Sequence, residues 1–378
     1  MLKDLFKQIK NRILAKEDKT NQDSSAYIPI KQNGKTYNLY DLPDGFVIKG
    51  DVDLSKKGLT ELPDLSKVTV KGNFNCYDNQ LTSLNGAPQE VGGDFGCGDN
   101  KLTTLQGAPQ KVGGGFYCRD NELTSLTGAP QEVGGDFWCY ENQLTTLIGA
   151  PQKVSGDFRC DYNQLTTLQG APQEVGGYFL CCDNELTSLQ GAPQKVGRFF
   201  ECYNNHLTSL EGAPQKVGGS FKCSSNKLTT LQGAPQEVGG DFDCHHNKLT
   251  SLTGAPQKVG GDFLCYENQL TTLIGAPQKV GGDFSCSINN DLLSLFGLPQ
   301  MSKNKSIHCD DELLKRYGHT KLKEGRIKYK DLIESAKYQS ELSVYKIRQK
   351  KHEEKKEAQA QLKAGFEAFM KMQTEERE

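Results

Sequence analysis

The regular spacing of the cysteines constrains this chain more than any other feature of its sequence. Eleven of the 13 cysteines recur at every twenty-first position without interruption, and they are Cys76, Cys97, Cys118, Cys139, Cys160, Cys181, Cys202, Cys223, Cys244, Cys265 and Cys286. A fixed period of this length is typical of repeat proteins, in which no unit can bury its apolar face without its neighbours. The sequence therefore predicts a stacked solenoid with a thin, continuous core.

Each unit of the repeat carries the same apolar and turn residues in the same slots. In the unit 91–109, Phe95 lies two residues before Cys97, and Asn100 lies three residues after it. Phe and Cys place two apolar side chains on one face of a short strand, and the Asn amide can bond backbone groups in the following turn. Two leucines then point into the same interior, and a Gly-Ala-Pro segment makes an extended return. The predicted unit is a strand, a turn and an extended return.

The order of these slots is similar to that of the leucine-rich repeat. Asn-x-Leu-Thr-x-Leu follows an apolar-x-apolar strand, and the short unit with its proline resembles the bacterial and phage-type members of that family. The spacing extends from Ile48 to Cys309 with atypical first and last units, which makes about thirteen rungs. The resemblance implies a curved solenoid with a parallel β-sheet on its concave face, which binds partners, and an extended or polyproline-like convex side.

The two ends of the chain differ in composition from the repeats and divide the sequence into four regions. Residues 1–16 form a predicted amphipathic, basic helix that could cap the solenoid, dock a partner or lie on a membrane surface. Residues 17–45 are a predicted linker and N-terminal cap, and residues 46–312 are the predicted solenoid. Residues 313–378 are a predicted helical extension, with a long helix from about residue 321 or, alternatively, a partly disordered charged tail.

The residues on either side of each cysteine vary between units, whereas the return segments are nearly identical. Because side chains alternate across a strand, these variable residues face outward, where packing does not dictate their identity. The middle units carry aromatic and arginine side chains, which are enriched at binding hot spots; neutral variation on a solvated sheet is the alternative. The predicted binding residues are Tyr117, Arg119, Trp138, Tyr140, Arg159, Tyr162, Tyr178, Leu180, Phe199 and Tyr203.

Composition and cysteine spacing argue against several other functions. The formal net charge of −2 gives no general attraction to nucleic acid, and no apolar run is long enough to span a bilayer. One cysteine per unit along a stack does not converge on a metal, so we expect no metal site and no cofactor. The absence of a signal peptide, and stacked thiols that would cross-link if oxidised, favour a reducing, cytoplasmic compartment.

Two cysteines outside the regular spacing raise the question of catalysis. Cys182 occupies an outward slot, where we expect an exposed thiol. The sequence Cys309-Asp310-Asp311 resembles the Cys-x-Asp motif of bacterial leucine-rich-repeat ubiquitin ligases, but the segment that follows it, 312–378, is too short for their catalytic domain. We therefore expect a non-enzymatic protein.

The sequence favours recognition of a partner protein through the concave face of the solenoid. Self-association through the C-terminal helix is a further expectation. The alternatives are a structural component of an assembly, for example a phage particle, and a secreted effector with an activity of the ligase type.

Overall fold

The computed structural model describes residues 27–319, 325–335 and 337–344. These residues fall into two compact units, the first ending at Gly177 and the second beginning at Tyr178. Both units are built from stacked coils with the predicted period, and each regular coil contributes a two-residue strand to each of two parallel sheets. The predicted helix of residues 1–16 and the end of the predicted extension, residues 345–378, lie outside the described residues.

The sheet that we call the Phe ladder contains the predicted apolar-x-apolar strands. In the first unit its strands are Val52–Asp53, Phe74–Asn75, Phe95–Gly96, Phe116–Tyr117, Phe137–Trp138 and Phe158–Arg159. The phenylalanines pair in register, are fully buried, and stack with ring centroids 5.3 to 5.4 Å apart. The repeated phenylalanine and cysteine therefore form the core that the sequence predicts.

A second parallel sheet, the Val ladder, forms between the extended return and the next Phe-ladder strand, where the predicted unit contains no strand. Its strands in the first unit are Val47–Ile48, Thr69–Val70, Glu90–Val91, Lys111–Val112, Glu132–Val133, Lys153–Val154 and Glu174–Val175. The second residue of each strand is buried and the first faces solvent in most coils. Exposed charges of opposite sign meet across the ladder, as between Lys111 Nζ and Glu132 Oε2 at 3.0 Å. Such pairs contribute about 0–1 kcal/mol each.

The repeated asparagine joins successive coils through backbone groups. Asn121 donates from Nδ2 to the carbonyl oxygens of Cys97 and Cys118 at 3.1 and 3.2 Å, and its Oδ1 accepts from the Leu102 N–H at 3.0 Å. Because buried polar groups are costly when unpaired, this shared bonding favours one register for the stack. The predicted role of the asparagine slot is confirmed.

The second unit repeats both ladders. Its Phe ladder comprises Phe179–Leu180, Phe200–Glu201, Phe221–Lys222, Phe242–Asp243, Phe263–Leu264, Phe284–Ser285 and Ser306–His308. Its Val ladder comprises Lys195–Val196, Lys216–Val217, Glu237–Val238, Lys258–Val259 and Lys279–Val280. Neighbouring phenylalanine rings are stacked here as well, with centroids 5.1 to 5.5 Å apart.

At the N-terminal side, a β-hairpin lies where the sequence indicated a linker and cap. Strands Pro29–Gln32 and Lys35–Asn38 pair antiparallel, and a 3-10 helix, Leu39–Asp41, follows. Asn33 and Gly34 between the strands have φ angles of 52° and 72°, as a type I′ turn requires. The Asn-Gly pair is the sequence signal for this hairpin, and the sequence analysis did not use it.

The last described coils end in mixed structure rather than in one long helix. Helix α1, Asp311–Lys315, precedes a strand, Arg326–Lys328, which pairs antiparallel with Ser306–His308. Helix α2, Tyr329–Ile333, follows, and residues 337–344 are helical. The predicted helix from residue 321 is therefore wrong at 326–328, because backbone groups there pair with the last parallel strand and cover its edge.

Candidate functional site

The outward side chains of the first unit's Phe ladder form a group that we call the aromatic–arginine cluster. Its members are Tyr77, Tyr117, Arg119, Trp138, Tyr140 and Arg159. Each lies directly beside a repeat cysteine, so strand alternation turns it away from the core. The ring centroids of Tyr117 and Trp138 are 4.7 Å apart, and those of Trp138 and Tyr140 are 6.2 Å apart.

Arg119 is held between aromatic rings and carboxylates. Its guanidinium carbon lies 5.0 Å from the ring centroid of Tyr77 and 5.8 Å from that of Tyr140. Nη1 lies 2.9 Å from Asp99 Oδ2 and also pairs with the neighbouring Asp120. The side chain crosses the coil of Gly98, because a Cβ there would lie 3.2 Å from Arg119 Cγ. Glycine at residue 98 leaves room for this side chain, since neighbouring atoms would have to shift by a few tenths of an ångström to admit a Cβ.

Arg159 has a matching environment. Its Nε and Nη2 donate to the two carboxylate oxygens of Asp161 at 3.2 and 2.9 Å, and Asp161 is only 2% exposed. The guanidinium carbon lies 4.1 Å from the Tyr140 ring centroid and 5.7 Å from that of Trp138. Cation–π contact and a bidentate ion pair together fix the orientation of the arginine.

A groove of about 410 Å³ opens beside Arg119, in the coil that has glycine in both outward slots. Gly96 and Gly98 lie in the groove, Asn75 and Tyr77 line one side, and large side chains of the following coils line the other. These are Tyr117, Arg119 and Trp138. The Trp138 Nε1 atom is buried without a hydrogen-bond acceptor, an unused donor within the cluster.

Tyr117 borders this groove in a position that depends on another glycine. A Cβ at Gly115 would collide with the Tyr117 ring and hydroxyl, so the ring lies across residue 115. Most other coils have aspartate in that slot. Burial, together with the negative charges of Asp94 and Asp136, raises the pKa of Tyr117 to about 12. The Tyr117 phenol is therefore neutral at physiological pH, and its ring and its protonated hydroxyl line the groove.

The second unit carries the other predicted binding residues. The rings of Tyr178 and Phe199 stack with centroids 4.7 Å apart, and the Arg198 guanidinium lies 5.8 Å from the Tyr178 ring. Leu180 and Tyr203 are half-buried in outward slots.

The expected exposure of Cys182 is wrong, since this residue is only 2% exposed. A hydrogen bond with the Cys182 thiol, together with burial, raises the pKa of Tyr203. The outward slot does not ensure exposure, because a tyrosine in the next coil contacts the thiol.

The ten predicted residues divide between the two units, six in the first and four in the second. Five of them lie in the aromatic–arginine cluster of the first unit, and four lie in the second unit. Tyr162 occupies the turn after its strand, with φ of 52° and 53% exposure, rather than an outward slot beside a cysteine. Tyr77 and the groove at Gly96 and Gly98 are not among the predicted residues, although two glycines in variable slots of one coil are a usable sequence signal.

Other chemistry has little geometric support in the described part of the chain. No group of three or more His, Cys, Asp or Glu side chains there is arranged to hold a metal ion. All 13 cysteines are buried, and burial raises the pKa of Cys76 to about 12. His245 stacks on Tyr266 with ring centroids 4.4 Å apart, and its Nδ1 lies 2.6 Å from Asp243 Oδ1. No described helix has the length and apolarity needed to cross a bilayer.

Comparison with known proteins identifies the fold. No protein-family model and no curated protein matches the sequence. Among solved structures, YopM from Yersinia enterocolitica WA-314 superposes with a TM-score of 0.51 and 22% identity, covering 68% of this chain and 56% of that one. YopM from Yersinia pestis, titled a leucine-rich effector protein, gives a TM-score of 0.43 and 18% identity over 68% and 81% of the two chains. The chain has the leucine-rich-repeat solenoid fold, built from short repeats of the bacterial type.

Proposed function

We propose that this chain is a non-enzymatic recognition protein that binds a partner protein through the outward face of the Phe ladder, the concave face of the predicted solenoid. The observation that carries the proposal is the aromatic–arginine cluster of the first unit. It places tyrosine, tryptophan and arginine, the residue types enriched at hot spots, on a regular scaffold. The second unit's Tyr178 and Phe199 offer a further aromatic surface of the same kind.

Preorganisation makes the cluster suited to binding. Ordering a long side chain at an interface costs about 0.5–1.5 kcal/mol. Arg119 and Arg159 are already ordered by their carboxylates and rings, so little of this cost remains. The side chains of both arginines keep 26% and 29% of their surface exposed, which leaves contact area for a partner.

The same structure supports the expectation that the protein is not an enzyme. The two cysteines considered as nucleophiles, Cys182 and Cys309, are each 2% exposed. A thiol so little exposed offers a substrate almost no access to its sulfur. We also propose a reducing compartment, where the stacked thiols would stay reduced. Self-association through the C-terminal helix stays a prediction that rests on residues 345–378.

The test is affinity purification from the native cell with mass spectrometry, comparing wild type with Trp138→Ala/Tyr140→Ala. The chain offers a matched control, because the sequence of residues 139–154 recurs identically at 265–280. Leu264→Ala/Tyr266→Ala changes the same slots in that copy. Truncation of hot-spot residues costs about 2 kcal/mol or more each, so we expect recovery of the partner to fall at least about 30-fold for the first variant only.

Equal recovery of the same proteins by wild type and by Trp138→Ala/Tyr140→Ala would refute the proposed surface. An assembly component that joins through its ends would tolerate this variant, so the same result would favour that alternative. Circular dichroism of each bait is the check that the coils stay folded.

A further inference from the structure

We propose that the groove above Gly96 binds the cationic side chain of an arginine or lysine from a basic segment of the partner protein. This inference rests on the proposed recognition function and specifies the chemistry that the first unit's surface selects. It follows from how this surface already binds its own arginines, from the vacant slot beside them, and from the excess of negative charge.

The chain itself shows the manner in which this surface holds a guanidinium. Arg119 stacks on Tyr77 and pairs with Asp99 and Asp120. Arg159 stacks on Tyr140 and pairs with Asp161. In both cases an aromatic face and at least one carboxylate surround the cation, which is a favourable combination once the site is partly shielded from water.

The groove above Gly96 has similar components, and the one arginine in its lining, Arg119, is already paired with Asp99 and Asp120. Tyr117 and Trp138 provide the aromatic walls, and Asp94 provides a carboxylate at the edge. The Oδ1 atom of Asp94 accepts the Gly115 N–H at 2.7 Å, and Asp94 enters no ion pair among the described residues. Because Gly96 has no side chain, an incoming group can enter between Asn75 on one side of the groove and the Tyr117 ring on the other.

The charge around the cluster favours a cationic occupant over a neutral one. The two guanidinium groups of the cluster pair with three carboxylates, those of Asp99, Asp120 and Asp161, and the carboxylates of Asp94 and Asp136 add negative charge beside Tyr117. The carboxylates therefore outnumber the two guanidinium groups, and the net charge of this surface is negative. A basic segment would gain from this field both in approach rate and in affinity, and the gain would fall with added salt.

The test uses a tetra-arginine peptide as the probe and its citrulline counterpart as a neutral control of the same shape. Trp138 is the only tryptophan in the sequence, so its fluorescence reports directly on the groove. We expect a saturable change with the arginine peptide at low salt and none with the citrulline peptide.

Two variants of the full chain locate the binding. Asp94→Asn removes the charge but keeps the backbone cap, since Asn73 Oδ1 already accepts the Asp94 N–H at 2.8 Å in the preceding coil. Gly96→Leu fills the groove, and its Cβ would meet only the Asn75 side chain, at 3.1 Å. We expect Asp94→Asn to weaken binding of the arginine peptide by about threefold, the loss of one exposed ion pair, and Gly96→Leu by about tenfold, the loss of a cation–π contact.

Matched controls change the same slots in the second unit. Asp262→Asn alters another capping aspartate, which accepts the Asp283 N–H at 2.7 Å, and Ser285→Leu enlarges the slot that corresponds to Gly96. We expect both to bind the arginine peptide like wild type. The inference is wrong if wild type gives no saturable change, if the citrulline peptide binds equally, or if Asp94→Asn and Gly96→Leu both keep wild-type affinity.

Failure here is separable from failure of the recognition function. If the purification loses its partner with Trp138→Ala/Tyr140→Ala while the groove shows no preference for arginine, recognition stands and the cationic occupant does not. If the groove selects arginine but the purification recovers the same proteins from both baits, the proposed partner-binding role of the surface fails instead.

Discussion

At the scale of single residues, each regular coil places one non-glycine residue in left-handed backbone, two positions after the cysteine. The φ angles at these positions are 50° to 55°. Most coils use aspartate, asparagine or another polar residue there, and these tolerate the conformation comparatively well. Ile288 is the exception with a β-branched side chain, φ of 55° and 51% exposure. Ile288 therefore has backbone strain, and its half-exposed side chain gains little hydrophobic burial to offset that strain.

We predict that Ile288→Asn raises the free energy of unfolding by about 1 kcal/mol, because asparagine relieves the left-handed strain. The backbone N–H of residue 288 donates to Asp310 Oδ1 at 2.9 Å, and the substitution keeps that donor. The measurement is the urea midpoint of wild type and variant. Ile274→Asn is the control, since Ile274 is 53% exposed without a positive φ. A gain of the same size in the control would attribute the effect to lost surface hydrophobicity.

At the scale of elements, the helical residues 337–344 are attached to the last coil by a buried hydroxyl. The Tyr317 hydroxyl accepts the Leu295 N–H at 2.8 Å and donates to Glu341 Oε2 at 2.7 Å. Ser294 Oγ donates to the same carboxylate oxygen at 2.8 Å. Burial raises the pKa of Tyr317 to about 12, so the hydroxyl keeps its proton at physiological pH.

We predict that Tyr317→Phe loosens this attachment without unfolding the coils. The substitution leaves the buried Leu295 N–H unpaired and costs about 1–3 kcal/mol. Amide hydrogen exchange at Leu295 and at residues 337–344 should therefore become at least about fivefold faster. Tyr27→Phe, at a position 60% exposed, is the control. Unchanged exchange in Tyr317→Phe would show that apolar packing alone holds the helix.

At the scale of the whole molecule, the buried cysteines should make the free energy of unfolding fall as pH rises in the alkaline range. Burial raises the pKa of Cys76 to about 12 and places those of Cys97, Cys139 and Cys223 well above the ordinary value. The folded thiols therefore stay protonated at a pH where the unfolded chain ionises. Their contribution is fully present below the unfolded pKa and is lost as pH rises above it toward the folded pKa.

We predict that the urea midpoint is steady up to about pH 8 and then falls steeply, because each buried thiol costs about 1.4 kcal/mol per pH unit above the unfolded pKa. Replacing Cys97, Cys118 and Cys139 by valine should make this fall shallower. The experiment is urea unfolding in reducing buffer from about pH 7 to about pH 10. A midpoint that falls equally in both proteins would assign the effect to lysines and tyrosines.

Much of the fold could be predicted from the sequence, whereas the site could be predicted only in part. The Phe, Cys and Asn slots recur in every unit with the same residues above and below them. A structural role inferred for a slot in one unit is therefore supported by its recurrence in the others. The aromatic side chains beside the cysteines were identified for the same reason. Tyr77 and the groove at Gly96 were missed, because a groove is defined by a missing side chain and its neighbours in adjacent coils.

The sequence alone determined the period, the core residues and the outward slots, because these follow from a local order that recurs in every coil. Tertiary structure alone decided which outward side chains are buried or paired, and where the chain after the last coil forms a strand. Cys182 is buried although its slot faces outward, Arg119 lies across Gly98 to reach Tyr77, and residues 326–328 pair as a strand. The physical reason is common to all three, since each depends on groups from another coil that stacking brings within contact distance.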